Sequence, residues 1–161
     1  MSDRKSQLVM QLVPLIEDEM RVLQKSLDSA SEAATHPEAK PENKYDTRGL
    51  EASYLAGAQR ERLQELKSML LLLQNMAMRD FAEDDKIGPT ALVELEQDGR
   101  SSLYFILPLG AGFGLQWEGQ PVLVVTPQAP LGQALMNKMV GDVVKVKAGG
   151  VIKEYDVVRV L

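Results

Sequence analysis

The run Ala129-Pro130-Leu131-Gly132-Gln133-Ala134-Leu135-Met136-Asn137-Lys138 decides the fold of this 161-residue chain, together with Val140-Gly141-Asp142-Val143-Val144, Gly149-Gly150 and Glu154-Tyr155-Asp156-Val157-Val158 that follow it. Pro130 stands where a helix tolerates proline, at its start, and Leu131, Ala134, Leu135 and Met139 fall on one side of a helix predicted over 130–139. Gly141-Asp142 is turn chemistry. The β-type runs over 143–147 and 154–160 predict two strands, and Gly149-Gly150 between them predicts a hairpin turn. Leu131, Leu135 and Val143 read as core.

Working outward, the same short strand pattern extends upstream over 91–96, 102–107 and 122–125, with Asp98-Gly99 as a second hairpin turn. Between these strands lies Gly110-Ala111-Gly112-Phe113-Gly114-Leu115-Gln116-Trp117. Its alternate glycines invite a phosphate-loop reading, but no Gly-Lys-Ser/Thr follows and no helix opens after them. A flexible or bulged hairpin with an aromatic at its end is one reading; a partner contact through Phe113 or Trp117 is the other.

Before Glu83-Asp84-Asp85-Lys86-Ile87-Gly88-Pro89 the period changes from two to three and four. Leu8, Leu12, Leu15, Ile16, Met20, Leu23, Leu27 and Ala30 form one apolar stripe over 7–34, in which Pro14 marks a bend or a late start. A second stripe begins near Asp46 or Thr47, both plausible N-caps, and runs through Leu50, Tyr54, Leu63, Leu66, Leu70, Leu73 and Ala77. Two stripes joined by a polar connection bury each other most simply as an antiparallel hairpin. About thirty residues at 1.5 Å each would reach roughly 45 Å. The expected architecture is therefore α+β: a helical hairpin over 1–85, then a small antiparallel β domain with one short helix over 86–161.

Composition excludes several classes. With no cysteine there are no disulfides and no thiol nucleophile, and an intracellular compartment is the simplest expectation. His36 is the only histidine, which argues against a zinc finger or a His-dependent triad. The longest aliphatic run, 69–73, is far too short to span a membrane, so a soluble cytoplasmic protein is expected. Residues 1–85 hold 11 basic and 16 acidic side chains, whereas 86–161 hold 7 of each. Such a balance argues against affinity won by neutralising a phosphate backbone.

The order, spacing and type of the residues quoted first resemble the C-terminal signature of Gre-type transcription factors: approximately Ser-Pro-Leu-Gly-x-Ala-Leu, a Lys before Val-Gly-Asp, a Gly-Gly hairpin and Glu-Tyr-x-Val. The upstream strands and the helical hairpin extend the resemblance more loosely over most of the chain. It implies an FKBP-like domain that docks on RNA polymerase at the entrance of its secondary channel. Pro130, Leu131 and Gln133 become candidate contacts by this resemblance, beside their structural role. Ala129 stands where the family often has Ser, and Gln133 where it often has a basic residue.

The resemblance also implies that the hairpin tip presents carboxylates beside the polymerase's catalytic Mg²⁺, helping to hold a second Mg²⁺ and an attacking water. Oxygen ligands suit this hard ion. The connection here alternates acids and bases, with Glu38, Glu42 and Asp46 repeating every four residues. Glu42-Asn43 aligns with the Glu-Asn of the family's tip motif, Ala39 takes the place of its Asp, and Tyr45 comes one residue early. Glu38, Glu42 and Asp46 are thus either the metal-presenting acids or a solvated loop's charges with Asp46 as a helix cap. On this reading the protein has no cofactor of its own, Mg²⁺ being shared with the polymerase. It is a monomer that meets nucleic acid only through the transcription complex.

Three alternatives accompany a factor acting on paused or backtracked complexes. One is a secondary-channel regulator that binds without stimulating cleavage. A prolyl isomerase or chaperone is another, disfavoured because only 5% of residues are aromatic and few could wall a proline pocket. Helices forming an intermolecular coiled coil are the third.

Overall fold

The computed structural model describes residues 2–35 and 47–161. They divide into two compact units, Met1–Leu12 with Met76–Leu161, and Val13–Asn75. The residues expected at the hairpin tip, His36, Glu38, Glu42 and Asp46 among them, lie outside the described residues.

The helical unit is made by α2 (Leu12–Thr35) and α3 (Arg48–Asn75). Two polar bridges fix their direction: Arg62 Nε donates to Glu19 Oε1 at 2.8 Å, and Gln59 Nε2 donates to Ser26 Oγ at 3.0 Å. As numbering rises from 19 to 26 on α2, it falls from 62 to 59 on α3, so the helices run antiparallel, as the paired stripes predict. Ile16, Leu27, Leu63, Leu66 and Leu73 are the stripe residues withdrawn from water. The stripe is not uniform, since Leu50 and Tyr54 are more than half exposed. Thr47 precedes α3, its carbonyl accepting the Glu51 N–H at 3.0 Å.

The expected first helix is interrupted. α1 (Ser2–Met10) ends before Gln11, and α2 begins at Leu12. Pro14 is the physical reason: it has no N–H to give the Met10 carbonyl and its ring crowds that carbonyl, so one regular helix cannot pass through 10–14. Residues 2–12 and 76–85, which the sequence reading placed with the hairpin, group with the sheet.

The second unit is a six-stranded sheet of order β3-β4-β2-β1-β6-β5, built from β1 (Leu92–Gln97), β2 (Arg100–Ile106), β3 (Gly114–Trp117), β4 (Gln120–Val125), β5 (Val143–Ala148) and β6 (Val151–Val160). A short helix, α4 (Pro130–Leu135), follows β4. All pairs are antiparallel except β2 with β4, because the chain leaves β2, builds β3 at the edge and returns through β4 beside β2. Three two-residue hairpins carry the meander: Asp98-Gly99, Glu118-Gly119 and Gly149-Gly150 all have positive φ at both positions, the geometry that matches strand twist.

Alternation along the strands makes two apolar faces. Val93, Leu95, Ile106, Val144, Val157 and Val160 form one core with Ile87, Ala91 and Leu135. By register the opposite face carries Leu92, Leu103, Phe105, Val122, Val124, Leu115 and Trp117, all buried. Val143 is half exposed rather than core; period two turns Val144 inward in its place.

Candidate docking surface

The seat of α4 is made by one close approach. Ala129 is extended and donates its N–H to Thr126 O at 3.0 Å, and Pro130 opens the helix with a φ that needs no adjustment. The first turn then folds back on its own entry. A Cβ at Gly132 would lie 2.0 Å from Thr126 O and 2.9 Å from Thr126 C, inside any permitted contact. Glycine is therefore required by space at this position.

α4 stops at Leu135, short of the predicted 139. Met136 turns to φ −54°, ψ 132° while its N–H still reaches Gly132 O at 3.0 Å, and Asn137 takes φ 65°. What ends the helix is pairing elsewhere: Asn137 N–H donates to Ile87 O at 2.9 Å and Ile87 N–H to Lys138 O at 2.7 Å. Next, the Asp142 carboxylate accepts the Met139 N–H at 3.0 Å, and Val157 exchanges backbone bonds with Gly141 and Asp142. The Val-Gly-Asp element thus ties α4's exit to β6.

This construction leaves Pro130 and Gln133 exposed and Leu131 half-buried against the core. Gln133 Nε2 donates to Gln128 O at 2.9 Å, closing the turn before α4. Beyond α4 the same sheet face is open. It holds a recess of about 400 Å³ walled by Leu95, Gln97, Arg100, Ser102, Tyr104 and Tyr155. The two tyrosine rings meet edge to face, 6.5 Å between centroids at 78°. Burial, then the neighbouring Tyr155, pushes the Tyr104 phenol up from its ordinary range, against a hydrogen bond with Ser102. Sequence reading missed this recess, because its walls come from β1, β2 and β6 and share no local motif.

Phe113 and Trp117 lie elsewhere. Register puts Trp117 on the opposite sheet face from Leu131, where only 7% of its surface is exposed. The Arg4 guanidinium covers its ring at 4.8 Å from the centroid and pairs with Glu118. Of the glycine-rich segment 110–117, only residues 114–117 form a strand, β3, which pairs with β4 downstream, and Phe113 beside it is half-buried. Among the described residues no group of three or more His, Asp or Glu side chains could hold a metal ion, and no helix is long and apolar enough to cross a membrane.

Residues 82–161 match the family model described as "Transcription elongation factor, GreA/GreB, C-term". Among solved structures, the GreA factor homolog 1 (Gfh1) of Thermus thermophilus is 22% identical, with 95% of this chain and 94% of that chain covered and a TM-score of 0.40. Gfh1 of Thermus aquaticus is also 22% identical, over 99% and 96% of the two chains, with a TM-score of 0.37. The elongation factor GreA/GreB from Nitrosomonas europaea is 18% identical over 59% and 78%, with a TM-score of 0.33. No curated protein matches the chain. Through residues 82–161, which carry the signature and the seat of α4, the chain belongs to the GreA/GreB family of transcription elongation factors.

Proposed function

We propose that this protein docks on RNA polymerase at the entrance of the secondary channel and that its helical hairpin acts there on paused or backtracked complexes. What supports the docking is the family match over 82–161, together with a rigidly seated α4 that leaves Pro130 and Gln133 exposed beside Leu131. Pro130, Leu131, Gln133 and the adjoining tyrosine-walled recess then face the polymerase. Phe113 contributes at most from the rim, and Trp117 contributes only if Arg4 moves aside.

At the hairpin tip, Glu38, Glu42 and Asp46 supply carboxylate oxygens, the donor type a Mg²⁺ ion accepts, to the polymerase's active site. The protein is on this reading a cytoplasmic monomer and no enzyme alone: its side chains complete a site that the polymerase owns, and nucleic acid is met only through the transcription complex.

A cell-free assay with stalled polymerase tests this. The expected results are binding to polymerase, competition with a known channel-binding factor and Mg²⁺-dependent transcript cleavage. Failure to bind and to compete overturns the reading.

A second reading keeps the docking and drops the cleavage. It is favoured by Ala39, which stands where the family's tip motif has an Asp. Replacing Glu38, Glu42 and Asp46 together with alanine separates the two. Loss of cleavage supports the first reading, and absence of cleavage by the unsubstituted protein supports the second.

A further inference from the structure

Helix α1 is fastened to the sheet by an unusual set of contacts. Leu8 and Val9 are buried, as is Leu12 just beyond, but the remaining attachments are polar. The Gln11 side-chain amide pairs with both backbone groups of Gln116: Gln11 Nε2 donates to Gln116 O and Gln116 N–H donates to Gln11 Oε1, each at 2.9 Å. β3 is an edge strand, and Gln116, one step before the Trp117–Gln120 pair that closes the hairpin, turns both its backbone groups outward from β4. Gln11 thus closes an edge that would otherwise be open to another strand. Arg4 covers Trp117 on the same strand.

The third attachment is Lys5, a lysine with no exposed surface. Its Nζ donates to Thr90 O at 3.1 Å and to Arg79 O, and lies 4.8 Å from the centroid of Phe81. Thr90 is itself strained: a β-branched residue at φ 69°, held by its N–H to Ile106 O and by Arg79 N–H to its Oγ1. A buried ammonium is costly unless every proton and neighbouring charge is well placed. Here Asp80 favours the charge and Arg79, which shares the Phe81 ring and pairs with Asp85, opposes it.

We propose that α1 is a reversible strap over the β3 edge, opening as one unit with Lys5 as its buried charged fastening. Closed, it occupies the backbone of Gln116 and hides Trp117. Open, it would present a strand edge of the kind that extended segments add to. Burial pushes Lys5 down from 10.5 to about 8, so the closed state holds its proton less tightly than the open one. Between those values the closed state binds fewer protons, and raising the pH therefore tightens the strap. Taking 10.5 for the open state, the closing constant rises roughly tenfold from pH 7 to pH 9.

Amide hydrogen exchange on the full chain, corrected for intrinsic rates, tests this at pH 7 and pH 9. The α1 amides and the Gln116 amide should share one opening constant, be less protected than the β1 amides, and gain roughly tenfold in protection at pH 9. Lys5→Met should abolish that gain. Should Lys5→Met fail to fold, Gln11→Ala carries the test: it should lower α1 protection roughly five- to tenfold, leave β1 unchanged and retain the pH step. The proposal is overturned if α1 exchanges only together with β1, or if its protection in the unsubstituted protein is the same at both pH values.

Discussion

Gly132 in α4 and Gly57 in α3 both stand inside helices, and their surroundings differ completely. A Cβ at Gly132 would collide with the Thr126 carbonyl at 2.0 Å, whereas a Cβ at Gly57 meets nothing within 4 Å. The contrast holds for the two units as wholes. In the sheet unit, positions are pinned one by one by hairpin turns at positive φ, by Asp142 closing the turn at Met139 and by α4 backing onto its entry. In the helical unit, a repeating stripe of leucines and two polar bridges do the work. A signature of particular residues is expected from the first kind of construction, and only a periodicity from the second.

The same substitution in the two units should have opposite signs. Gly132→Ala should cost about 4 kcal/mol or more, because the colliding atom is backbone and the helix must lift from its seat. Gly57→Ala should stabilise by about 0.5–1 kcal/mol, from helix propensity and a stiffer unfolded chain. Urea unfolding measures both; a mild effect at Gly132 would break the comparison. Next in size, Leu66→Ala on the fully buried side of α3 should cost about 2–5 kcal/mol, against a few tenths for exposed Leu72→Ala.

The pH dependence discriminates in another way. Since the folded value of Lys5 lies below its unfolded one, stability should rise as pH increases from about 8 toward 10.5, by about 3 kcal/mol in total, and Lys5→Met should remove the rise. Urea titrations at several pH values check this, and a flat profile would contradict the buried ammonium. Smallest is the Glu19–Arg62 bridge, whose partners are each about one-third exposed. Glu19→Gln should cost less than about 1 kcal/mol and less still at high salt.

Most of the sheet was legible because its strands alternate with period two and its Asp98-Gly99 and Gly149-Gly150 turns use residues that adopt positive φ readily. Glu118-Gly119 was not, since glutamate is an uncommon first residue for such a turn, and β3 went unread with it. The end of α4 was misplaced because helix propensity continues to 139, whereas pairing of Asn137 and Lys138 with Ile87 overrides it. Lys5 and Gln11 belong to no motif and are not among the residues of the apolar stripe. Only the fold reveals that both are turned to backbone groups distant in sequence. Of the candidate contacts, Pro130, Leu131 and Gln133 were found from their motif, while the tyrosine recess spans three strands and has no local motif.

Binding of the full chain to core RNA polymerase, measured beside Pro130→Ala and Gln133→Ala and in competition with a known secondary-channel factor, tests the central claim most directly. The account predicts saturable binding that the competitor displaces and that both substitutions weaken. Binding that is absent, or that the competitor leaves untouched, would contradict it.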